Sequence, residues 1–214
     1  MERWEYQLEQ ELKKPLPGLD AQLMMAPEMR RPVNSDLPFR DGGVMILIYP
    51  RGGLWHTVFI KRTEYDGIHS GQVSFPGGIY EDDDVTLVNT ALRETQEETG
   101  LPVSAVTLIG QLTPLLIPVS NVRVHTFVGR VEYRPEFRHD TSEVQYLIEE
   151  SLDELLNEEN HKTSMMSVLG RDIRVPYFDI QGNRIWGATA MILSEFLEVV
   201  KRVTRDKGQG TSRK

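Results

Sequence analysis

Arg93-Glu94-Thr95-Gln96-Glu97-Glu98-Thr99-Gly100-Leu101 is the stretch on which the reading of this 214-residue chain turns. It closes a helical pattern from about Val85 to Thr99, with Asp84 the expected N-cap and Gly100, followed by Pro102, the expected stop. At about 100° per residue Glu94, Glu97 and Glu98 fall near about 0°, 300° and 40°, so three carboxylates share one face. Val85, Val88, Leu92 and Thr99 lie roughly opposite and form the expected core stripe. Such a helix repels itself unless something cationic sits against the acidic face. Hard divalent ions such as Mg2+ or Mn2+ take oxygen ligands and keep waters that substrate phosphates can displace. A lone Glu-Glu pair reads more simply as a solvated face. What favours an ion site is Gly77-Gly78 just upstream, able to bring bare backbone close to a phosphate or a metal.

Outward from this helix, Val44–Tyr49 and Thr57–Lys61 read as hairpin strands around Pro50-Arg51-Gly52-Gly53, and Val73–Phe75 as a short strand. Further strands are expected at Ser104–Leu108, Val122–Val131, Ile173–Phe178 and Arg184–Trp186. Helices are expected over residues 2–14, Ser151–Asn160 and Ala188–Val203. Strands with few helices, one of them central, predict an α/β (α+β) fold, a mixed β-sheet with helices packed on its faces. The length suits one domain over residues 41–203, preceded by a helix and an extended, proline-bearing segment over 1–40 and followed by a basic, disordered tail over 204–214.

The chain has no cysteine, which excludes disulfides, thiolate catalysis and zinc ribbons and favours a cytoplasmic setting. Its start is charged and carries no apolar leader, and its longest apolar run is far too short to span a bilayer. The net charge of −8 argues against nucleic acid and membranes as partners. That charge is uneven: residues 81–98 hold seven acids and one Arg, residues 140–160 hold eight acids and no Lys or Arg, and the segment from Lys201 is strongly basic. No Gly-x-Ser-x-Gly elbow, Walker loop or His-Glu-x-x-His pair is present. His125, in an alternating strand, reads as a packed or half-exposed strand residue.

The stretch Arg93-Glu94-x-x-Glu97-Glu98-x-Gly100-Leu101 resembles the second half of the Nudix box, Gly-x5-Glu-x7-Arg-Glu-U-x-Glu-Glu-x-Gly-U, where U is a bulky apolar residue. Two positions depart from it: Thr95 stands at the first U, and Val85 where the first Glu falls, with Asp82, Asp83 or Asp84 left to tie down the loop. Ile60-Lys61-Arg62 and His69-x-Gly71-Gln72-Val73-x-Phe75-Pro76-Gly77-Gly78 resemble the additional motif of the coenzyme A diphosphatases of that superfamily. Ile185-Trp186-Gly187-x-Thr189-Ala190 near the last helix is similar to theirs as well.

The resemblance implies a Nudix-type α/β/α sandwich whose loop and helix carry a metal site, in a hydrolase that splits CoA or acyl-CoA into 3′,5′-ADP and a phosphopantetheine. It implies Glu94, Glu97 and Glu98 as ligands of Mg2+ or Mn2+, with Glu97 central to catalysis. Arg93 joins the catalytic set as a brace for a carboxylate or for the Gly78–Asp84 loop. Glu143 is the candidate general base, against a plain solvated acid. Arg62, His69, Gln72, Gly77 and Gly78 are candidates for contact with a nucleoside diphosphate-linked, CoA-like substrate, with structural bracing the alternative. Other readings are a pyrophosphatase for ADP-ribose or a dinucleoside, or a non-catalytic nucleotide sensor; a homodimer is left open.

Overall fold

Residues 45–49, a run of five apolar side chains, have no polar face to offer solvent, and all five are fully buried in the middle of β1 (Arg40–Arg51). Their alternation divides two cores. Met45, Leu47 and Tyr49 face one side of the sheet and Ile46 and Ile48 the other. Each such side chain contributes about 1.5–3 kcal/mol on leaving water, so β1 anchors the molecule. The computed structural model describes residues 4–28, 38–64, 70–168 and 170–209.

The remaining strands are β2 (Leu54–Arg62), β3 (Val73–Ser74), β4 (Gly77–Ile79), β5 (Thr107–Gln111), β6 (Leu115–Ile117), β7 (Val122–Arg130), β8 (Val144–Ser151), β9 (His161–Val168), β10 (Arg171–Ile180) and β11 (Asn183–Trp186). The helices are α1 (Trp4–Leu12), α2 (Gly18–Leu23), α3 (Leu87–Thr99), α4 (Leu152–Leu156) and α5 (Gly187–Gln209). The main sheet is mixed, as expected. β1 runs parallel to β7, from Arg40 opposite Val122 to Ile48 opposite Arg130, while β2 and β4 pair antiparallel with opposite ends of β1. β8 extends the sheet beside β2, and β9, β10 and β11 form a separate antiparallel sheet. Ala91 of α3, with Leu87, Val88 and Leu92 beside it, packs on one face of β1; α5 and α1 cover the other through Phe196, Val200, Leu8 and Leu12. The layers are helix, sheet, helix.

Several expectations shift. The α3 N-cap is Thr86, whose hydroxyl accepts from the Asn89 N–H, and not Asp84. Val85, expected in the core stripe, is 77 % exposed at φ +60°, and the Thr86 N–H bonds back to the Asp84 carbonyl across it. That is a γ-turn of the positive-φ kind, strained for a β-branched residue. Of the expected stripe, Thr99 is fully buried and Val88 and Leu92 pack partly buried against the core, where Ala91 and Thr95 join them. Thr95 serves at an apolar position because its hydroxyl is spent on the Ala91 carbonyl one turn back. The C-terminus matches its pattern: Gly100 sits at φ +72° and returns its N–H to Gln96.

The segment expected to be extended holds α2, and the tail expected to be disordered from 204 begins as helix, since α5 continues to Gln209. The acidic helix ends at Leu156, and the next residues form a turn leading into β9, an unexpected strand at a sheet edge, none of whose eight residues is fully buried.

Candidate active site

Three carboxylates leave α3 on the side facing β4, and each meets a different environment. Glu98 is 1 % exposed; one oxygen accepts the Gly77 N–H at 2.8 Å and the other meets Arg62 at 3.3 Å. Burial pushes its carboxyl up to about 8, with Arg62 and the Gly77 N–H opposing only in part. Glu94 lies against Gly78 so closely that a Cβ there would overlap its carboxylate. Its pKa is raised, first by burial, with Arg93 pulling the other way. Glu97 is more open, its carboxylate held by Arg93 at 3.1 Å.

Arg93 organises the group. Its Nη1 donates to Glu94 at 2.9 Å as well as to Glu97, while Nε and Nη2 clasp both oxygens of Asp84 at 2.8 and 3.0 Å, and Nη2 also reaches the Ile79 carbonyl. Asp84, 4 % exposed, further accepts from the Thr90 hydroxyl and the Glu81 N–H. The Arg93 guanidinium, then these hydrogen bonds, hold its carboxyl well below the usual carboxylate range. Among the three aspartates left open at the irregular end of the motif, Asp84 is therefore the one that ties down the loop. The γ-turn at Val85 makes this one-residue shift work: it turns Val85 outward and Asp84 inward. Thr90, one helical turn before Arg93, is a partner that sequence reasoning missed, although its i, i+3 spacing was there to be read.

Glu143 is exposed, and its backbone carbonyl accepts from the Thr63 N–H at 3.0 Å, beside Arg62. It lies near enough to Glu94 and Glu98 to raise both their pKa values. The structure thus brings Arg62, Gly77, Gly78, Arg93, Glu94, Glu97, Glu98 and Glu143 to one place. His69 falls outside the described residues. His125 lies elsewhere, partly buried with its Nε2 at 2.9 Å from Asp41.

Hard oxygen donors crowded on one face fit divalent cations in chemistry. In their present rotamers, no three acidic or imidazole side chains among the described residues converge closely enough to chelate an ion. The reason is local: Arg93 Nη1 sits between Glu94 and Glu97, and Glu98 turns to Gly77 and Arg62. Guanidinium groups supply the positive charge that these acids demand, and their movement would free the oxygens.

Beyond Gly77-Gly78 opens a cavity of about 910 Å3. Its floor is the sheet, with Gly42 and Val44 of β1 and Val122 and Val124 of β7; Trp186 of β11, Thr189 and Ile192 at the start of α5 and Ser167 and Ile173 of β9 and β10 enclose it. Gln72, Ser74 and Phe75 line it too, so the motif from Gln72 to Gly78 wraps its mouth. The Thr189 hydroxyl donates to the Val73 carbonyl at 3.1 Å, pinning the start of α5 to β3.

Residues 40–168 match the NUDIX domain family. A Nudix hydrolase named NudL from Yersinia pestis (strain Pestoides F) is 35 % identical over 140 residues, spanning 65 % of this chain and 70 % of that protein. Among solved structures, the MutT protein from Methanosarcina mazei Go1 is similar at TM-score 0.49 and 17 % identity, over 82 % of this chain and 100 % of that one. An Ap4A hydrolase binary complex from C. elegans is similar at TM-score 0.46 and 13 % identity, over 55 % of this chain and 83 % of that one.

Proposed function

The chain belongs to the Nudix family and is a hydrolase of pyrophosphate bonds, and from that premise we propose that its substrate is coenzyme A or an acyl-CoA, cut to 3′,5′-ADP and an (acyl-)phosphopantetheine. The observation that carries this reading is the continuity of the cavity with the acidic face: Gln72, Phe75, Gly77 and Gly78 belong both to the wall of a 910 Å3, largely apolar space and to the segment touching Glu94 and Glu98. A long, mostly uncharged group joined to a pyrophosphate suits such a space.

Nudix hydrolases use divalent metal ions, and here Mg2+ or Mn2+ would be held by Glu94, Glu97 and Glu98. When bound, the ions polarise phosphorus and lower the pKa of the attacking water. The protein's own groups do the rest. Arg93, fixed by Asp84, is a positioning residue that keeps the loop and the carboxylates in register. Gly77 and Gly78 let the pyrophosphate approach the backbone with no side chain between. Arg62 can turn from Glu98 to a phosphate oxygen. Glu143, open to solvent beside this face, takes the proton of the attacking water.

The test is turnover of CoA, acetyl-CoA, ADP-ribose and a diadenosine polyphosphate with Mg2+ or Mn2+, with products read by mass. CoA giving 3′,5′-ADP and phosphopantetheine is expected. No CoA turnover alongside brisk ADP-ribose cleavage would overturn the assignment.

A further inference from the structure

The cavity that receives the substrate carries charge of one sign. Among the described residues its wall includes three arginines, Arg40, Arg62 and Arg171, and no Asp or Glu, in a chain whose net charge is −8. Arg62 is engaged by Glu98. Arg40 and Arg171 are both exposed, and neither has an ion-pair partner among the described residues. Asp41, the acid next to Arg40 in sequence, is committed elsewhere, to Arg123 at 2.6 Å and His125 at 2.9 Å.

Their placement is separate from the pyrophosphate end. Arg40 opens β1 and shares a face with Gly42 and Val44, three residues before Gly43, which pairs with Gly78. Three residues of strand span about 10 Å, so Arg40 stands about that far along the floor from the glycine pair. Arg171 opens β10 and reaches the same cavity from the second sheet, opposite Val168. Two guanidiniums with no ion-pair partner among the described residues, lining one cavity from two different sheets, are donors for a dianion, and guanidinium–phosphate pairs are charge-assisted.

We infer that Arg40 and Arg171 form a second anion subsite in this cavity, which takes a phosphate monoester carried by the nucleoside in addition to the pyrophosphate that is cut. The inference rests on the reading above in placing the pyrophosphate at Gly77-Gly78. It makes the two arginines specificity-determining residues: they select substrates whose ribose bears a phosphate over otherwise equal substrates with a free hydroxyl.

The test is calorimetric binding of adenosine 3′,5′-bisphosphate, adenosine 2′,5′-bisphosphate and AMP to the full chain, to Arg40→Gln, to Arg171→Gln and to Arg40→Lys, with melting curves to verify folding. Wild type is expected to bind the 3′,5′-bisphosphate at least about tenfold more tightly than AMP. Each Gln variant is expected to cut that ratio about tenfold, and Arg40→Lys, which keeps the charge, to recover part of it. A ratio near one in wild type, or a ratio unchanged in both Gln variants, overturns the subsite. Because binding is read without turnover, a failure to cleave CoA leaves this inference standing while removing the proposed substrate. Preference for the 2′,5′ isomer would support the subsite and overturn CoA as its ligand.

Discussion

Lowering the pH should stabilise the metal-free protein between pH 8 and 6, and Glu98 should be a principal cause. Its carboxyl titrates at about 8 in the fold, against an ordinary 4.5. A raised folded-state value means that the folded protein holds the proton more tightly than the unfolded chain. The resulting stability is fully present below 4.5 and is lost as the pH rises through 8. At about 1.4 kcal/mol per pH unit, less the flattening near 8, the loss between pH 6 and 8 is about 2 kcal/mol. For a chain of this size that is a fall of about 4–8 °C in Tm. Glu98 is 1 % exposed, so solvent screening does not erode the figure. Asp84, held low by Arg93, stays ionised across this window and contributes no slope. Scanning fluorimetry in EDTA at pH 6, 7 and 8 should therefore show a steep decline for wild type and a shallower one for Glu98→Gln, with groups common to both cancelling. Excess Mg2+ should stabilise wild type more at pH 8 than at pH 6, because a ligating carboxylate must lose its proton. Parallel pH profiles for the two proteins in EDTA would refute the assignment of this proton to Glu98.

Other consequences can be measured in the same preparations. Asp84→Asn leaves Arg93 without its buried partner and should cost about 3 kcal/mol in urea unfolding, while hydrolysis falls; a loss below 0.5 kcal/mol, on the order of an exposed pair, would mean that the clasp is incidental. Val85→Gly removes the side-chain clash of the γ-turn and should raise stability by about 1 kcal/mol; an unchanged or lower Tm would speak against strain there. Glu97→Gln should leave Tm near wild type, its carboxylate being open to solvent, yet lower hydrolysis by about a hundredfold or more; equal activity would reduce the acidic face to a solvated one. Gly78→Ala should press on Glu94 and lower metal-dependent turnover more than it lowers stability, and unaltered kinetics would remove Gly78 from the site.

What could be read in the chain was whatever short-range physics determines. The acidic face of α3 follows from helical spacing, and its stop from Gly100, so Glu94, Glu97 and Glu98 could be grouped in advance. The strand at the middle of β1 was visible as an apolar run ending at turn residues, and the structure supplies the reason that the run is unbroken, since it is covered on both faces. Val85 and Asp84 were less legible, because a periodic pattern cannot register a γ-turn that inserts a change of direction. β9 was missed because an edge strand with much of its surface in water has no apolar signal to show. The extension of α5 went unseen for a related reason: its last turns are polar and basic, a composition that also suits a solvated tail.

Sequence alone thus determined the sheet-and-helix class, the hairpin strand over Val44–Tyr49 and the identity of the carboxylate helix, since each depends on contacts within a few residues. Tertiary structure decided which aspartate braces Arg93, how burial separates Glu98 from the open Glu97, and that Gln72, Gly77, Arg40 and Arg171, drawn from four strands and their approaches, surround one cavity. These depend on the register of β4 against β1 and on the second sheet closing over the first, pairings between residues dozens of positions apart that leave no periodic trace along the chain.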